Sequence, residues 1–284
     1  PPRTSSPMCV ARPRRGRPGD LGDVESLRRA CDGVDVVYYL VHSMGSSDDF
    51  RGGGVPARRA TSSRRRGGVK RFVYLGGLHP AGADLSPHLR SRTAVGDILI
   101  DSGIETVVLQ AGIVIGSGSA SFEMIRHLTT RLPVMTTPKW VHNKIQPIAI
   151  DDVLHYLSEA ATAPVPTSRT WDVGGPDVFE YGEAMQVYAE VAGLRRRTMI
   201  VLPWLTPKNC ELVDRSGDTD ARWPGSPPAD RVTGMRCVMG DHDVDDVIAP
   251  PPAGGLTPYR DAVVTALQRG PLPSDPQWAH VGRN

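Results

Sequence analysis

Val34-Asp-Val-Val-Tyr-Tyr-Leu-Val41 is a nearly continuous apolar run, and its reading decides the fold. Such a run suits a strand buried on both faces of a parallel sheet. Ahead of it, Asp23-Val-Glu-Ser-Leu-Arg-Arg-Ala-Cys31 has an acidic first turn and then Leu27 and Ala30 on one side. That pattern predicts a short amphipathic helix, which Gly33 stops. Two further strands are expected downstream. Arg71-Phe-Val-Tyr-Leu75 is closed by Gly76-Gly77, and Thr106-Val-Val-Leu-Gln110 is closed by Ala111-Gly112. Between them, Ser91 to Ser102 carries Val95, Ile98 and Leu99 at helical spacing. Strands alternating with helices in this way predict an α/β chain with a doubly wound parallel sheet. Ligands of such sheets sit at the carboxyl ends of the strands. His42-Ser43, Gly76-Gly77 and Gln110 to Ile113 are therefore the segments to follow. Further helices are expected over Phe122–Leu132, after Gln146-Pro-Ile-Ala-Ile-Asp-Asp-Val153, over Tyr181–Ala192 and over Pro258–Gln268.

The 284 residues suffice for one large domain, or for one domain with an appendage. A net charge of +2 directs the chain neither toward nor away from nucleic acid, but arginine is clustered. Cys9, Cys31, Cys210 and Cys237 are far apart and form no Cys-x-x-Cys pair. A disulfide framework or zinc site is not expected, and a cytoplasmic location fits. No apolar run approaches the roughly 20 residues of a membrane span, and Pro1 to Gly19 lacks the apolar stretch of a signal peptide.

Three stretches break the pattern. Pro1–Gly19 holds five Pro and five Arg, and Arg51–Gly68 holds six Arg and five Gly. Asn209–Asp230 is rich in Pro, Asp and Arg. None repeats apolar residues at helical spacing. Each is flanked by sequence that returns to the αβ pattern, and out-of-frame reading of a GC-rich gene yields this composition. Frameshifted sequence is the expectation, with native disordered insertions as the alternative.

The order of Asp20-Leu-Gly-Asp23, Val34 to Ser43, Phe72-Val-Tyr-Leu-Gly-Gly77, Ala111-Gly-Ile-Val-Ile-Gly116, Gln146 to Val153 and Asp172-Val-Gly-Gly-Pro-Asp177 resembles one family. It is that of the atypical and extended short-chain dehydrogenase/reductases, especially NmrA-like NAD(P)-binding bacterial proteins described as nucleoside-diphosphate-sugar epimerases. The resemblance implies a Rossmann-like fold with NAD or NADP as cofactor. It places Asp20 and Leu21 at the adenine, and Leu40, Val41, His42 and Ser43 along the adenosine ribose. Gly76 and Gly77 stand where the family often has a catalytic Ser or Thr. Gln110, Ala111, Gly112 and Ile113 border the nicotinamide, and Asp151 caps a helix that braces the substrate side. His88-Leu-Arg-Ser-Arg92 occupies the site of the family's Tyr-x-x-x-Lys, making His88 and Arg92 the catalytic candidates. Imidazole serves as acid or base near neutral pH, but Arg is no neutral replacement for Lys. The family's Gly-x-x-Gly-x-x-Gly has no counterpart ahead of Asp20, because the 19 residues there form no strand. The expected layout is thus a non-native-like or disordered 1–19, an N-terminally truncated cofactor domain over 20–160 and a small substrate-side region over 161–270. A tail follows over 271–284. Cofactor binding is expected to be weak or lost. A chain missing its first αβ unit is also expected to be largely insoluble or molten when alone.

The functional expectation is an NAD(P)-binding oxidoreductase or epimerase-like protein, impaired in this chain and acting on an unidentified small molecule. The alternatives are a cofactor sensor of NmrA type that does not turn the cofactor over, or a non-functional frameshifted product. The arginine runs Arg58-Arg59 and Arg64-Arg-Arg66 lack interleaved aromatics and read as solvated loop rather than as a nucleic-acid surface. Asp241-His-Asp-Val-Asp-Asp246 lacks the central glycine of a calcium loop and reads as a solvated acidic turn, so no metal site is expected. His79, at a strand end, reads as a structural hydrogen-bonding residue. Met124 and Met135 read as core or cleft lining.

Overall fold

The computed structural model describes residues 23–40, 68–79, 85, 87–131, 134–137, 139–194, 198–201 and 238–270. Pro1–Gly19, most of Arg51–Gly68 and Asn209–Asp230 lie outside them, so the frameshift reading does too. So do Asp20, Leu21, Val41 and His42.

Four strands form the main sheet: β1 (Val36–Tyr39), β2 (Arg71–Gly77), β3 (Glu105–Ala111) and β8 (Arg169–Val173), in the order β1-β2-β3-β8. Every pair is parallel, with Val36 opposite Arg71, Val73 opposite Val107 and Leu109 opposite Trp171. The two-residue side-chain period divides the strands between two cores. Val73, Val107, Leu109, Trp171 and Val173 face one side, Phe72, Tyr74 and Val108 the other. The first side is covered by helix α4 (Ile150–Glu159) through Val153 and Tyr156, and by the short helix α6 (Val244–Val247). The second is covered by helix α2 (Pro87–Ile100), which contributes Val95 and Leu99. Helix α2 thus begins four residues before the expected Ser91.

Helix α1 (Val24–Cys31) is capped by Asp23, whose carboxylate accepts the Glu25 N–H at 2.9 Å. It buries Leu27 and Cys31, one turn apart, while Ala30 is only half-buried. The strand β1 departs from its expected environment. It lies at the sheet edge, paired only to β2 among the described residues, with Tyr38 42% and Leu40 50% exposed. The apolar run marks the strand correctly but overstates its burial.

A third core lies beyond the sheet. Helices α3 (Ala120–Arg131), α5 (Tyr181–Val191) and α7 (Tyr259–Arg269) pack Phe122, Ile125, Tyr188 and Val263 together. Short strand pairs tie this region to the sheet: β4 (Val114–Ile115) with β7 (Ile148–Ala149), and β6 (Lys144–Ile145) with β9 (Phe179–Glu180). A further pair joins β5 (Val134–Thr137) to β10 (Thr198–Val201). Asp151 does not cap α4. The cap position is Ala149, without a side-chain bond, and Asp151 in the first turn pairs with Arg269 at 2.9 Å. Its neighbour Asp152 is buried and accepts both the Thr257 N–H (2.8 Å) and hydroxyl (3.1 Å). The expected acidic residue is present, but it makes a tertiary ion pair instead of a cap.

The acidic run after Gly240 docks on β8. Asp241 and Asp243 grip Arg169 at 2.6 and 2.9 Å, and the Arg169 guanidinium lies 4.7 Å from the Trp171 ring centroid. Asp172 in turn accepts the Gly240 and Asp241 N–H groups. These carboxylates therefore serve a docked strap rather than a solvated turn. No described helix is long and apolar enough to cross a membrane.

Candidate functional site

The carboxyl ends of β2 and β3 lie side by side, with Gly76 opposite Gln110 and Gly77 opposite Ala111. The pairing runs one step past the strand, because the Leu78 N–H donates to the Ala111 carbonyl at 2.9 Å. Beyond Gly112, the Ile148 N–H reaches the Ile113 carbonyl (3.0 Å), and the Gly175 N–H reaches that of Pro147 (3.0 Å). Gln146 locks these turns together. Its amide N–H donates to the Gly175 carbonyl (2.8 Å), and its oxygen accepts the Met239 N–H (3.1 Å). The post-strand segments 76–79, 110–113, 146–149 and 174–175 thus form one stitched floor, which includes the expected nicotinamide-side residues Gln110, Ala111, Gly112 and Ile113.

Side chains from α2 and from the end of β2 meet over this floor. The Arg92 guanidinium lies beside Gly77, with Nη1 3.6 Å from where a Cβ would stand. His79 Nε2 is 3.0 Å from Thr93 Oγ1 and 3.2 Å from Gln110 Nε2. The Thr93 hydroxyl also reaches the Leu89 carbonyl at 3.0 Å, as a helical Thr commonly does. Underneath, the buried Tyr74 hydroxyl donates to the Arg92 carbonyl at 3.2 Å. Burial pushes the Tyr74 pKa up to about 12, with Tyr39 adding to the rise and Arg92 opposing it. Tyr74 thus keeps its proton near neutral pH and acts by holding α2 to the sheet. Burial and Asp101 raise the Asp97 carboxyl, one turn beyond Thr93, while the charge of His79 pulls it down.

Of the sequence-derived candidates, the floor brings together Arg92, Gly76, Gly77 and Gln110 to Ile113. Leu40 is at the carboxyl end of β1, on the same edge of the sheet. His88 lies in the first turn of α2, and its side chain is outside the described residues. Thr93 escaped the sequence reading, and His79 was read there as structural. No local pattern links His79 to Thr93 and Gln110, because the contact arises from the β2–α2–β3 crossover.

No protein-family model matches the chain, and no curated protein matches it in sequence. Solved structures do match. The triphenylmethane reductase of Citrobacter sp., also solved with NADP(H), superposes with a TM-score of 0.64 at 18% identity, over 88% of this chain and 82% of that one. A Staphylococcus aureus nucleoside-diphosphate-sugar epimerase gives 0.63 at 13% identity, over 87% and 82%. An NADPH-dependent quinone oxidoreductase of Escherichia coli gives 0.63 at 16%, over 87% and 81%. The fold is the Rossmann-like fold of these reductases and epimerases. At such identities the likeness speaks for the fold, and the chemistry rests on the floor between β2 and β3.

Proposed function

We propose that the protein is an NAD(P)-binding oxidoreductase of the short-chain dehydrogenase/reductase type, acting on a small molecule with a reducible carbonyl or quinone. The carrying observation is the convergence of Arg92, His79 and Gln110 on the Gly76–Gly77 floor at the carboxyl end of an all-parallel sheet. The floor suits the nicotinamide-ribose end of the cofactor. Gly76 leaves Tyr74 and Gln110 as its walls, Arg92 supplies a cation for ribose hydroxyls or a developing oxyanion, and Leu40 lies toward the adenosine end. A reduced nicotinamide bound there supplies a hydride. The chain's own residues orient the acceptor, stabilise negative charge on its oxygen and deliver a proton.

Calorimetry with NADPH and NADH, then turnover against a carbonyl and quinone panel, tests this reading. Saturable binding with measurable turnover supports it, and absence of binding up to millimolar cofactor contradicts it.

A sensor of NmrA type, binding cofactor without turning it over, is the second reading. It draws on Gly76-Gly77, where the family's hydroxyl is replaced by hydrogen, and on His88 at the tyrosine position. Cofactor binding without turnover on any panel member would favour it.

A further inference from the structure

We propose that Gln146 is a positioning residue that ties the floor to the docked strap, residues 239–248, so that releasing the strap weakens cofactor binding from a distance. The inference rests on the oxidoreductase reading for what the floor binds. It goes beyond that reading by making the order of the floor depend on a segment that need not touch the cofactor.

Gln146 is buried, and both ends of its amide are engaged. Nε2 donates to the Gly175 carbonyl at 2.8 Å, and Oε1 accepts the Met239 N–H at 3.1 Å. A carbonyl can only accept and a peptide N–H can only donate, so one amide orientation alone satisfies both partners. The side chain thus acts as an inserted peptide unit between the turn after β8 and the strap. Space for it comes from Gly174, where a Cβ would stand 2.9 Å from Gln146 Cδ and 2.8 Å from Met239 Sδ. Met239 itself packs against the core that holds Ala111 and Ile148.

The bonds run in series. The Ile113 carbonyl accepts the Ile148 N–H, and the neighbouring Pro147 carbonyl accepts the Gly175 N–H. The Gly175 carbonyl then takes Gln146, and Gln146 takes Met239. Past Met239, the Gly240 and Asp241 N–H groups bond Asp172, which lies opposite Gln110 in the sheet. Asp241 and Asp243 hold Arg169, three residues earlier in β8 and so about 10 Å back from Asp172. The strap is therefore bolted at Arg169, away from the floor, and at Asp172 and Gln146 beside it. Any coupling along such a series is reciprocal, and a double-mutant cycle measures it.

The experiment uses the full chain as wild type, Arg169→Met, Gln146→Met, Gln146→Asn and the two double variants. Arg169→Met removes both ion pairs of the strap, and leaves Asp241 and Asp243 in contact with water. The first readout is amide exchange without cofactor, normalised to Val73 and Val107 in the sheet. Arg169→Met is expected to speed exchange at Ile148 and Gly175 by at least about fivefold when Gln146 is intact, and to have no effect there in either Gln146 variant. The second readout is calorimetry with NADPH. Arg169→Met and Gln146→Met are each expected to weaken binding by at least about fivefold, and together by no more than the stronger of the two. A merely structural Gln146 would give effects that multiply. The proposal falls if Arg169→Met leaves the exchange of Ile148 and Gly175 or the NADPH affinity unchanged, or if its effect persists in both Gln146 variants. Should the Gln146 variants fail to fold, the comparison of wild type with Arg169→Met decides by itself. If wild type binds no NADPH, the cofactor reading falls, and the exchange cycle still decides whether Gln146 ties strap to floor.

Discussion

Gly175 has no room for a side chain, since a Cβ there would collide with the Pro147 carbonyl oxygen that its own N–H grips. Relief would have to come from backbone, so Gly175→Ala is expected to cost about 1–3 kcal/mol or more, read from a denaturant melt. Gly76 behaves differently. A Cβ there meets Tyr74, Gln110 and Leu109 at 3.5–3.8 Å, which is ordinary contact. Gly76→Ser should therefore fold with a stability change within about 1 kcal/mol while placing a hydroxyl at the end of β2. A kcat increase in that variant would bear on the redox reading directly. Glu123 and Arg126 form a buried pair on α3, with the Glu123 side chain 1% exposed. Arg126→Met takes the guanidinium from the buried carboxylate, leaving it the His127 ring at 3.9 Å, and is expected to cost about 3–5 kcal/mol in a thermal melt. Little of this was legible in the sequence. Asp172-Val-Gly-Gly-Pro-Asp177 stood out as a motif, but the reason for Gly175 is a close approach to a segment nearly thirty positions away. The His79–Thr93–Gln110 contact is likewise set by how strands and helix stack, which no local spacing encodes.

At the scale of elements, long apolar runs read reliably. The strands β2 and β3 and the helices α3, α5 and α7 fall within two residues of expectation at each end, because each buries a face of its own periodicity. The two-residue strands β4, β6, β7 and β9 carry no period to detect, and β8 was not read as a strand, although its last two residues open the Asp172–Asp177 motif. Helix α2 contains Gly96, whose Cβ would touch Val108 and Tyr74 at 3.6–3.8 Å. Gly96→Ala should stabilise the protein by about 0.5–1 kcal/mol, through helix propensity without a clash. The strap that follows Gly240 depends on charge. Burial raises the Asp241 carboxyl, but the Asp243 N–H and the Arg169 guanidinium outweigh that and hold it below its usual value. A carboxyl lowered in the folded state stabilises above its unfolded pKa, and that contribution fades as pH falls through the folded value. Amide exchange in residues 240–248 should therefore accelerate below about pH 4 relative to the β2–β3 core, after correction for intrinsic rates. Equal protection ratios at acid and neutral pH would contradict this.

Across the whole molecule, the sheet ends at β1, whose outer edge has no partner among the described residues and whose Tyr38 and Leu40 are largely exposed. An apolar parallel edge of this kind is prone to association. The expectation is a chain that associates through this edge when expressed alone. A cooperative melt with sharp near-UV circular dichroism from a monomer would count against it. The parallel sheet and three of its strands were legible because burial patterns mark strands, whereas their order and the fourth strand were not. The exposure of β1 was not, because an apolar run carries no record of which neighbours it finds. The most direct test of a cofactor site at the ends of β2 and β3 is amide chemical-shift mapping during NADPH titration. Saturable shifts at Gly76, Gly77 and Gln110 to Ile113 are the predicted result. Shifts confined to other regions, or none up to millimolar NADPH, would contradict it.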